Sequence, residues 1–123
     1  MRHKILIIED EKMLGEMYQE RFLQENFEVI LAKSAEEGIE AFRQEKPDLI
    51  LLDILLPRAN GIDFVEWLKK EKKDSSVIII AFSNYDDPGA KKKALELGVK
   101  EYLIKTNYTP REIVDKIKDS LED

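Results

Sequence analysis

Cysteine is absent from this 123-residue chain, which excludes disulfides, thiolate metal sites and a cysteine nucleophile. Histidine occurs once, so a multi-histidine metal site is excluded, and a Ser-His-Asp triad would have to form around His3 at the start of the chain. The longest apolar run, Val77 to Phe82, is far shorter than the roughly 20 residues of a membrane span. The first residues, MRHKILIIEDE, reach acids at once and lack a small-residue cleavage site, so they do not resemble a secretory signal. We therefore expect a cytoplasmic protein without membrane contact.

An excess of basic residues is also lacking. Lys and Arg total 20 against 26 Asp and Glu, for a net charge of −6. This balance argues against direct nucleic acid binding by the domain as a whole, because phosphate neutralisation requires a basic face. Apolar residues make up 43% of the chain, which excludes a disordered chain of low hydrophobicity. The length predicts one domain spanning residues 1–123.

Short apolar runs recur along the chain at the length of β-strands. Lys4–Ile8, Leu49–Leu52 and Val77–Phe82 are nearly continuous and rich in Ile, Leu or Val, which is typical of strands buried on both faces. Phe27–Ala32 and Glu101–Lys105 are more mixed in polarity. We expect these two strands to lie nearer an edge of the sheet.

Helical patterns fill the segments between the predicted strands. The first predicted helix, Lys12 to Glu25, has one apolar face formed by Met13, Leu14, Met17, Tyr18 and Phe22. Asn26 is predicted to cap its end in a left-handed conformation. Later helices are predicted to begin at Ser34, Asn60-Gly61, Asp87-Pro88 and Thr109-Pro110, and the fourth to end at Gly98. Two capping boxes are predicted, Ser34 with Glu37 and Thr109 with Glu112.

The resulting order is strand then helix, repeated five times. Such alternation predicts an α/β fold with a parallel sheet, right-handed crossovers and helices on both faces. Ligands of such sheets bind beyond the carboxyl ends of the strands, at the point where the strand order reverses. The residues at the predicted strand ends are therefore the candidates for chemistry.

Acids, a hydroxyl and a lysine occupy these strand ends: Glu9, Asp10 and Glu11, then Asp53, Ser83 and Lys105. Taken singly, each has an ordinary interpretation as a helix-opening acid, a turn residue, a loop hydroxyl or a solvated lysine. Taken together, acids that converge at one mouth of a sheet repel each other and favour a bound cation. Oxygen ligands select a hard ion such as Mg²⁺, and the lysine and hydroxyl supply donors for an anion. The combination indicates a site that handles phosphoryl groups.

The stretches KILIIEDE, LILLDILLPRANG, IIIAFSN and EYLIK carry a resemblance to a known family. Over essentially its whole length the chain resembles the receiver domain of two-component response regulators. The resemblance implies a flavodoxin-like, doubly wound (βα)5 fold with strand order 2-1-3-4-5. It leaves open whether this is a single-domain regulator or a receiver excised from a longer one.

The resemblance also implies roles for individual residues. Asp53 would accept the phosphoryl group. Magnesium would be bound by Asp10, by Asp53, by the backbone carbonyl of Leu55, and by Glu9 directly or through water. Lys105 would hold a phosphoryl oxygen, Ser83 would donate its hydroxyl to the phosphoryl group, and Tyr102 would turn inward behind Ser83 as an aromatic switch.

The function implied is phosphorelay signalling rather than turnover of a substrate. The chain would take a phosphoryl group from a sensor histidine kinase or a phosphotransfer protein and would catalyse its own phosphorylation and slow dephosphorylation. Phosphorylation would change the surface formed by the Asp87–Gly98 helix, the Glu101–Lys105 strand and the last helix, and could pair two copies into a homodimer.

Four positions depart from the common family pattern. Glu9 stands where Asp is more usual, and Thr106 replaces the usual Pro, which leaves the geometry of the Lys105–Thr106 peptide open. Leu55 replaces a polar residue, and Asn84 replaces a small one. Leu55 offers no hydrogen bond to an attacking water, and the bulky Tyr85 could shield the phosphoryl group, so we expect slow dephosphorylation.

Three other functions compete with this interpretation. A phosphatase of the haloacid dehalogenase type needs an acid two residues after its nucleophile, where this chain has Leu55. A flavodoxin-type flavin carrier needs a hydroxyl- and glycine-rich loop after the first strand, where Glu9 to Glu11 would repel phosphate. An interaction module with a receiver fold that is never phosphorylated remains the main alternative.

Overall fold

The computed structural model describes residues 2–56, 60–71, 76–84 and 86–122. Strands and helices alternate from end to end, as follows: β1 (Lys4–Ile8), α1 (Lys12–Gln24), β2 (Glu28–Ala32), α2 (Ala35–Glu45), β3 (Leu49–Asp53), α3 (Gly61–Glu71), β4 (Ile78–Ser83), α4 (Pro88–Glu96), β5 (Glu101–Ile104) and α5 (Pro110–Leu121). A short 3₁₀ turn, Lys105–Asn107, separates β5 from α5. Among these described segments, no helix has both the length and the apolar character needed to cross a membrane.

The strands form one parallel sheet in the order β2-β1-β3-β4-β5, which confirms the predicted fold. The central strand β3 is buried throughout, whereas β2 and β5 lie at the edges, as their mixed polarity predicted. The strand order reverses at β1, which lies between β2 and β3. The carboxyl ends of β1 and β3 therefore flank the crevice where a ligand is expected.

Two apolar cores lie on opposite faces of the sheet. One contains Phe42 of α2, Phe64 of α3 and Ala94 of α4. The other contains Tyr18 and Phe22 of α1, Phe82 of β4, and three residues of α5. Because alternate side chains of a strand point to opposite faces, consecutive residues at the end of β4 serve different cores. This alternation decides which strand-end side chains can meet above the sheet.

Most of the predicted helix starts are confirmed. The side chains of Asn60, Asp87 and Thr109 accept backbone hydrogen bonds from the first turns of α3, α4 and α5. The predicted box at α2 is only half formed. Ser34 accepts from the N–H of Glu37 at 3.1 Å, but the Glu37 carboxylate accepts from the N–H of Lys33 instead of the N–H of Ser34.

The apolar face predicted for α1 is wrong at Met13, whose exposed fraction is 79%. The helix buries Tyr18 and Phe22, as predicted, and Gly15 in addition. At 100° per residue Met13 lies on nearly the opposite side of the helix from these three, so it faces solvent. Gly15 allows close approach to the sheet, since a Cβ there would lie 3.0 Å from a methyl group of Leu31.

The ends of α1 and α4 use left-handed residues. Asn26 has a φ of 71°, as predicted, and Gly98 has a φ of 101°. The fourth helix itself ends at Glu96, two positions before the predicted boundary, because the turn that Gly98 allows already belongs to the connection to β5.

Candidate functional site

Glu9 is a buried carboxylate placed by the end of β1. Its backbone N–H still pairs with the carbonyl of Ala32 at 3.0 Å, so its position is set by the sheet. One carboxylate oxygen, Oε2, accepts from the N–H of Glu11 at 3.0 Å, and the other, Oε1, accepts from Lys105 Nζ at 2.8 Å. Only 2% of Glu9 is exposed, so its negative charge depends on these donors.

Asp53 is the last residue of β3 and is also buried. Its Oδ1 accepts from the N–H of Leu55 at 3.0 Å, and its Oδ2 lies 3.5 Å from Lys105 Nζ. The start of α3 packs directly against this strand end, because a Cβ on Gly61 would lie 2.7 Å from the Asp53 carbonyl oxygen. A glycine at this point therefore lets the chain turn back tightly against the backbone at the end of β3.

Asp10 completes an acidic cluster with Glu9 and Asp53. Each of the three offers one oxygen, and these oxygens lie within 4.8 Å of one another. Glu9 and Asp53 are buried, and Asp10 is exposed. Three like charges this close are unfavourable without a cation, and carboxylate oxygens are suited to a hard divalent ion. The donor set fits Mg²⁺.

Lys105 supplies positive charge to this cluster. The predicted fifth strand included Lys105, but β5 ends at Ile104 and Lys105 is the first residue of the 3₁₀ turn. Its peptide bond to Thr106 is trans. Its ammonium lies closer to Glu9 than to Asp53, at 2.8 and 3.5 Å. It also lies 4.4 Å from the centre of the Phe82 ring. Lys105 thus faces two buried carboxylates, and among the described residues of this cluster the three acids outnumber the single lysine.

Burial is the main influence on the ionisation of Glu9. It raises the pKa of this carboxyl from 4.5 to about 7, and the nearby Asp53 charge adds to the rise. Hydrogen bonds from Lys105 and from the backbone of Glu11 act in the opposite direction. The lysine therefore helps to keep a costly buried carboxylate ionised.

Ser83 and Tyr102 lie on neighbouring strands at the same end of the sheet. Ser83 ends β4 beside Ile104 of β5, and both Ser83 and Tyr102 are buried. Burial raises the pKa of the Tyr102 phenol, and a hydrogen bond with the Ser83 side chain opposes that rise. The aromatic ring predicted to turn inward behind Ser83 thus already occupies an inward position in this structure.

The site residues predicted from the sequence fall into four groups, of which one is the pair of Ser83 and Tyr102 described above. Glu9, Asp10, Asp53 and Lys105 meet in one cluster. Leu55 takes part through its backbone N–H, and its side chain is half exposed. The prediction for Tyr85 lies outside the described residues.

Sequence reasoning did not single out Phe82 as part of the site. It was assigned to a buried strand, which is correct, since the ring is fully buried. The sequence does indicate which face of the sheet Phe82 occupies. Side chains alternate along a strand, so Phe82, directly before Ser83, lies on the face opposite to that of Ser83. The contact with Lys105 could not be inferred, because it depends on where the lysine side chain folds back.

These contacts define what the arrangement can do chemically. The Asp53 carboxylate stands at the end of a buried strand, within 3.5 Å of an ammonium and within 4.8 Å of oxygens of two further acids. Such a carboxylate can act as a nucleophile toward an electrophile whose negative charge a cation and the lysine would neutralise. The fold and the site together define a flavodoxin-like α/β domain with a candidate phosphoryl site at its switch point.

Comparison with known proteins identifies the family. Residues 5–118 match the response regulator receiver domain. The chain belongs to this family, whose members are phosphoacceptors that bind Mg²⁺ at an acidic pocket and interact with histidine kinases or phosphotransfer proteins.

Two solved structures are closely similar in fold. A CheY-like receiver domain protein from Methanospirillum hungatei superimposes with a TM-score of 0.91 at 27% identity, over 99% of this chain and 95% of that one. The non-phosphorylated HemR receiver domain from Leptospira biflexa gives a TM-score of 0.90 at 28% identity, over 99% and 96%.

Similar sequences include two transcriptional regulators. The alkaline phosphatase synthesis transcriptional regulatory protein PhoP of Bacillus subtilis is 32% identical over 96% of this chain and 48% of its own length. The phosphate regulon transcriptional regulatory protein PhoB of Escherichia coli is 30% identical over 96% of this chain and 51% of its own length. The chain thus spans about half the length of these relatives.

Proposed function

We propose that this chain is a phosphoacceptor in a phosphorelay and that Asp53 receives the phosphoryl group. The observation that carries the proposal is the position of the Asp53 carboxylate, buried at the end of β3 within 3.5 Å of Lys105 and inside an acidic cluster. The donor would be a phosphohistidine of a sensor histidine kinase or of a phosphotransfer protein. Residues 1–123 would form one receiver domain.

The transfer forms one bond and breaks another. A carboxylate oxygen of Asp53 attacks phosphorus, the P–N bond to the donor imidazole breaks, and the nitrogen leaves with the electron pair while an acyl phosphate forms. Oδ1 of Asp53 is held by the N–H of Leu55, which orients the carboxylate. Lys105 and the Ser83 hydroxyl would bind phosphoryl oxygens and neutralise or share their charge.

Asp10, Asp53, the Leu55 carbonyl and Glu9, directly or through water, would hold Mg²⁺. When bound, this ion supplies charge neutralisation to the phosphoryl oxygens. Asp10 is the exposed member of the cluster and is therefore accessible to a hydrated ion. The two oxygens of Glu9 accept one hydrogen bond each, from the N–H of Glu11 and from Lys105, and each keeps a lone pair for the ion or for one of its waters.

The phosphorylated site would alter the surface formed by α4, β5 and α5. Ser83 would move toward the phosphoryl group, which removes its hydrogen bond to Tyr102 and biases the position of that ring. Slow self-dephosphorylation and pairing of two phosphorylated copies belong to the same proposal. The exposed Leu55 side chain offers a water no hydrogen bond, which favours slow hydrolysis.

Labelling with a small phosphodonor tests the assignment of Asp53. We expect the native chain to acquire an acid-stable, base-labile label from acetyl phosphate only when Mg²⁺ is present, and Asp53→Ala to lose it. Asp63→Ala, which removes an exposed acid of α3, is the matched control and should label normally. Full labelling of Asp53→Ala would overturn the assignment, and a native chain that never labels would indicate an unphosphorylated interaction module.

Amide chemical shifts test the switch. Beryllofluoride mimics a phosphoryl group on a carboxylate, so its addition with Mg²⁺ should shift amides of α4, β5 and α5 as well as those around Asp53. The same titration of Asp53→Ala should shift none of them. Shifts limited to the residues next to Asp53 would mean that no change reaches the proposed output surface.

A further inference from the structure

Phe82 places an aromatic face under the ammonium of Lys105. The distance from Nζ to the ring centre is 4.4 Å, which lies within the range of a cation–π contact. The ring is fully buried, and only 11% of the lysine side chain is exposed. An attraction of this kind is strongest where water is excluded, so burial strengthens the contact between Lys105 and Phe82.

The lysine needs such a contact because its other partners compete for it. Its four-carbon side chain is flexible, and an ammonium is a point charge without a fixed plane. Glu9 attracts it at 2.8 Å and Asp53 at 3.5 Å. A neutral ring face attracts the ammonium without adding negative charge to a site that already holds three acids.

We propose that Phe82 is the positioning residue of Lys105, holding its ammonium between Glu9 and Asp53 through the face of its ring. The consequence for phosphorylation rests on the function proposed above for Asp53. With the ring in place, the ammonium keeps its hydrogen bond to Glu9 and also remains within 3.5 Å of Asp53 Oδ2. Phosphoryl transfer then meets a positioned charge rather than one that must be reoriented.

Packing alone is the competing explanation for Phe82. Its ring also meets Tyr18 edge to face at a centroid distance of 5.8 Å, and it belongs to the core beneath α1 and α5. A truncation such as Phe82→Leu would therefore loosen this core and slow phosphorylation for either reason. The test must change the charge on the ring face while keeping its shape.

Fluorinated phenylalanines meet this requirement. Fluorine withdraws negative charge from the ring face with little change in size, so mono-, di- and trifluorophenylalanine placed specifically at position 82 form a graded series. We expect the rate of phosphorylation from acetyl phosphate to fall stepwise, by about threefold to tenfold at the trifluoro member. The same residues placed at Phe22, a buried aromatic of the same core, should leave the rate unchanged. A rate that is constant along the position 82 series would overturn the proposal.

Proton NMR supplies a readout that needs no phosphorylation. Protons above a ring face are shielded, so we expect the Cε methylene resonances of Lys105 to lie upfield in the native chain. They should return to ordinary lysine values in Phe82→Leu and remain shielded in Phe22→Leu. Unshielded Lys105 resonances in the native chain would refute the positioning role even if Asp53 is phosphorylated. Conversely, shielded resonances together with normal labelling of Asp53→Ala would refute the phosphoacceptor assignment and leave the Phe82 contact standing.

Discussion

The two ends of the sheet differ in the pairing and burial of their charged side chains. At the amino end of the strands, charges are paired in half-exposed positions. Lys4 reaches Glu45 at 3.2 Å, with 26% and 42% of the two side chains exposed, and its backbone N–H donates to Asp48 at 2.8 Å. At the carboxyl end, Lys105 faces both Glu9 and Asp53, all three nearly buried, and Asp10 adds a further acid.

This difference separates what folding requires from what function requires. The paired charges at the amino end remain in contact with water, so they lose little solvation on folding. Because water screens their attraction, each pair also contributes little to the free energy of unfolding. The carboxyl end keeps buried like charges that a stability-driven sequence would avoid. Arrangements of this kind cluster at functional sites, which agrees with the phosphoryl site proposed here.

Removing the buried lysine should cause the largest loss of stability. Lys105→Met leaves Glu9 and Asp53 without their shared cation, so we expect the free energy of unfolding to fall by about 3 kcal/mol at neutral pH without metal. Lys4→Met, the matched change at the amino end, should cost about 1 kcal/mol or less. Urea denaturation of both variants checks the contrast, which fails if the two losses are equal. Added Mg²⁺ should restore more stability to Lys105→Met than to the native chain.

Removing an acid from the cluster should have the reverse effect on stability. Asp10→Asn relieves repulsion within the cluster, so we expect the metal-free protein to gain about 0.5–1 kcal/mol. Its Mg²⁺ affinity should fall by about tenfold or more, since a carboxylate ligand is lost. Thermal melts with and without Mg²⁺ measure both effects. Glu11→Gln, an exposed neighbouring acid outside the cluster, is the control and should do neither; a lower melting temperature of metal-free Asp10→Asn would contradict the prediction.

The half-exposed Leu55 side chain should influence only the lifetime of the phosphorylated state. Leu55→Asn places a hydrogen-bonding group beside Asp53, where it can orient an attacking water, so we expect the acyl phosphate to decay about threefold faster. The decay of labelled protein in excess Mg²⁺ measures this rate. Leu55→Met keeps an apolar side chain and should decay like the native chain. Equal lifetimes for all three chains would show that this position does not control hydrolysis.

The smallest effect is expected for the surface pair between Glu25 and Lys118 near the amino end. Their 2.6 Å contact lowers the pKa of Glu25 below its ordinary 4.5, through the hydrogen bond and then the charge of Lys118. A lowered pKa contributes stability above the ordinary value that is lost as the pH falls through the folded value. Lys118→Met should return the pKa of Glu25 toward 4.5 and remove this part of the acid-induced loss. NMR titration of the Glu25 carboxyl checks it, and an unchanged pKa would mean that the pair does not persist in solution.

Much of the fold could be predicted because local signals agree with one another. The apolar runs at Leu49 and Val77 define buried strands, and caps such as Asp87 and Thr109 mark helix starts within the first turn. Acids, a hydroxyl and a lysine at successive strand ends had to converge once the strands were parallel. Glu9, Asp53 and Lys105 follow from that logic alone.

The errors occur where a local signal permits more than one partner. Met13 fits an apolar stripe by spacing, but the sheet contacts the side of α1 that carries Gly15. The Glu37 side chain could bond either of two adjacent backbone N–H groups, and it bonds that of Lys33. The first of these choices is not decided within the helix, because it depends on which side of α1 packs against the sheet.

The residues at the carboxyl ends of the strands follow from the sequence, since alternation of strands and helices and right-handed crossovers allow few arrangements. How those side chains share their charges depends on tertiary packing. Lys105 lies nearer Glu9 than Asp53 and over the ring of Phe82, and Tyr102 is turned in toward Ser83. The two carboxylate distances of this flexible ammonium differ by less than an ångström. Such small differences arise only when residues far apart in the chain pack together.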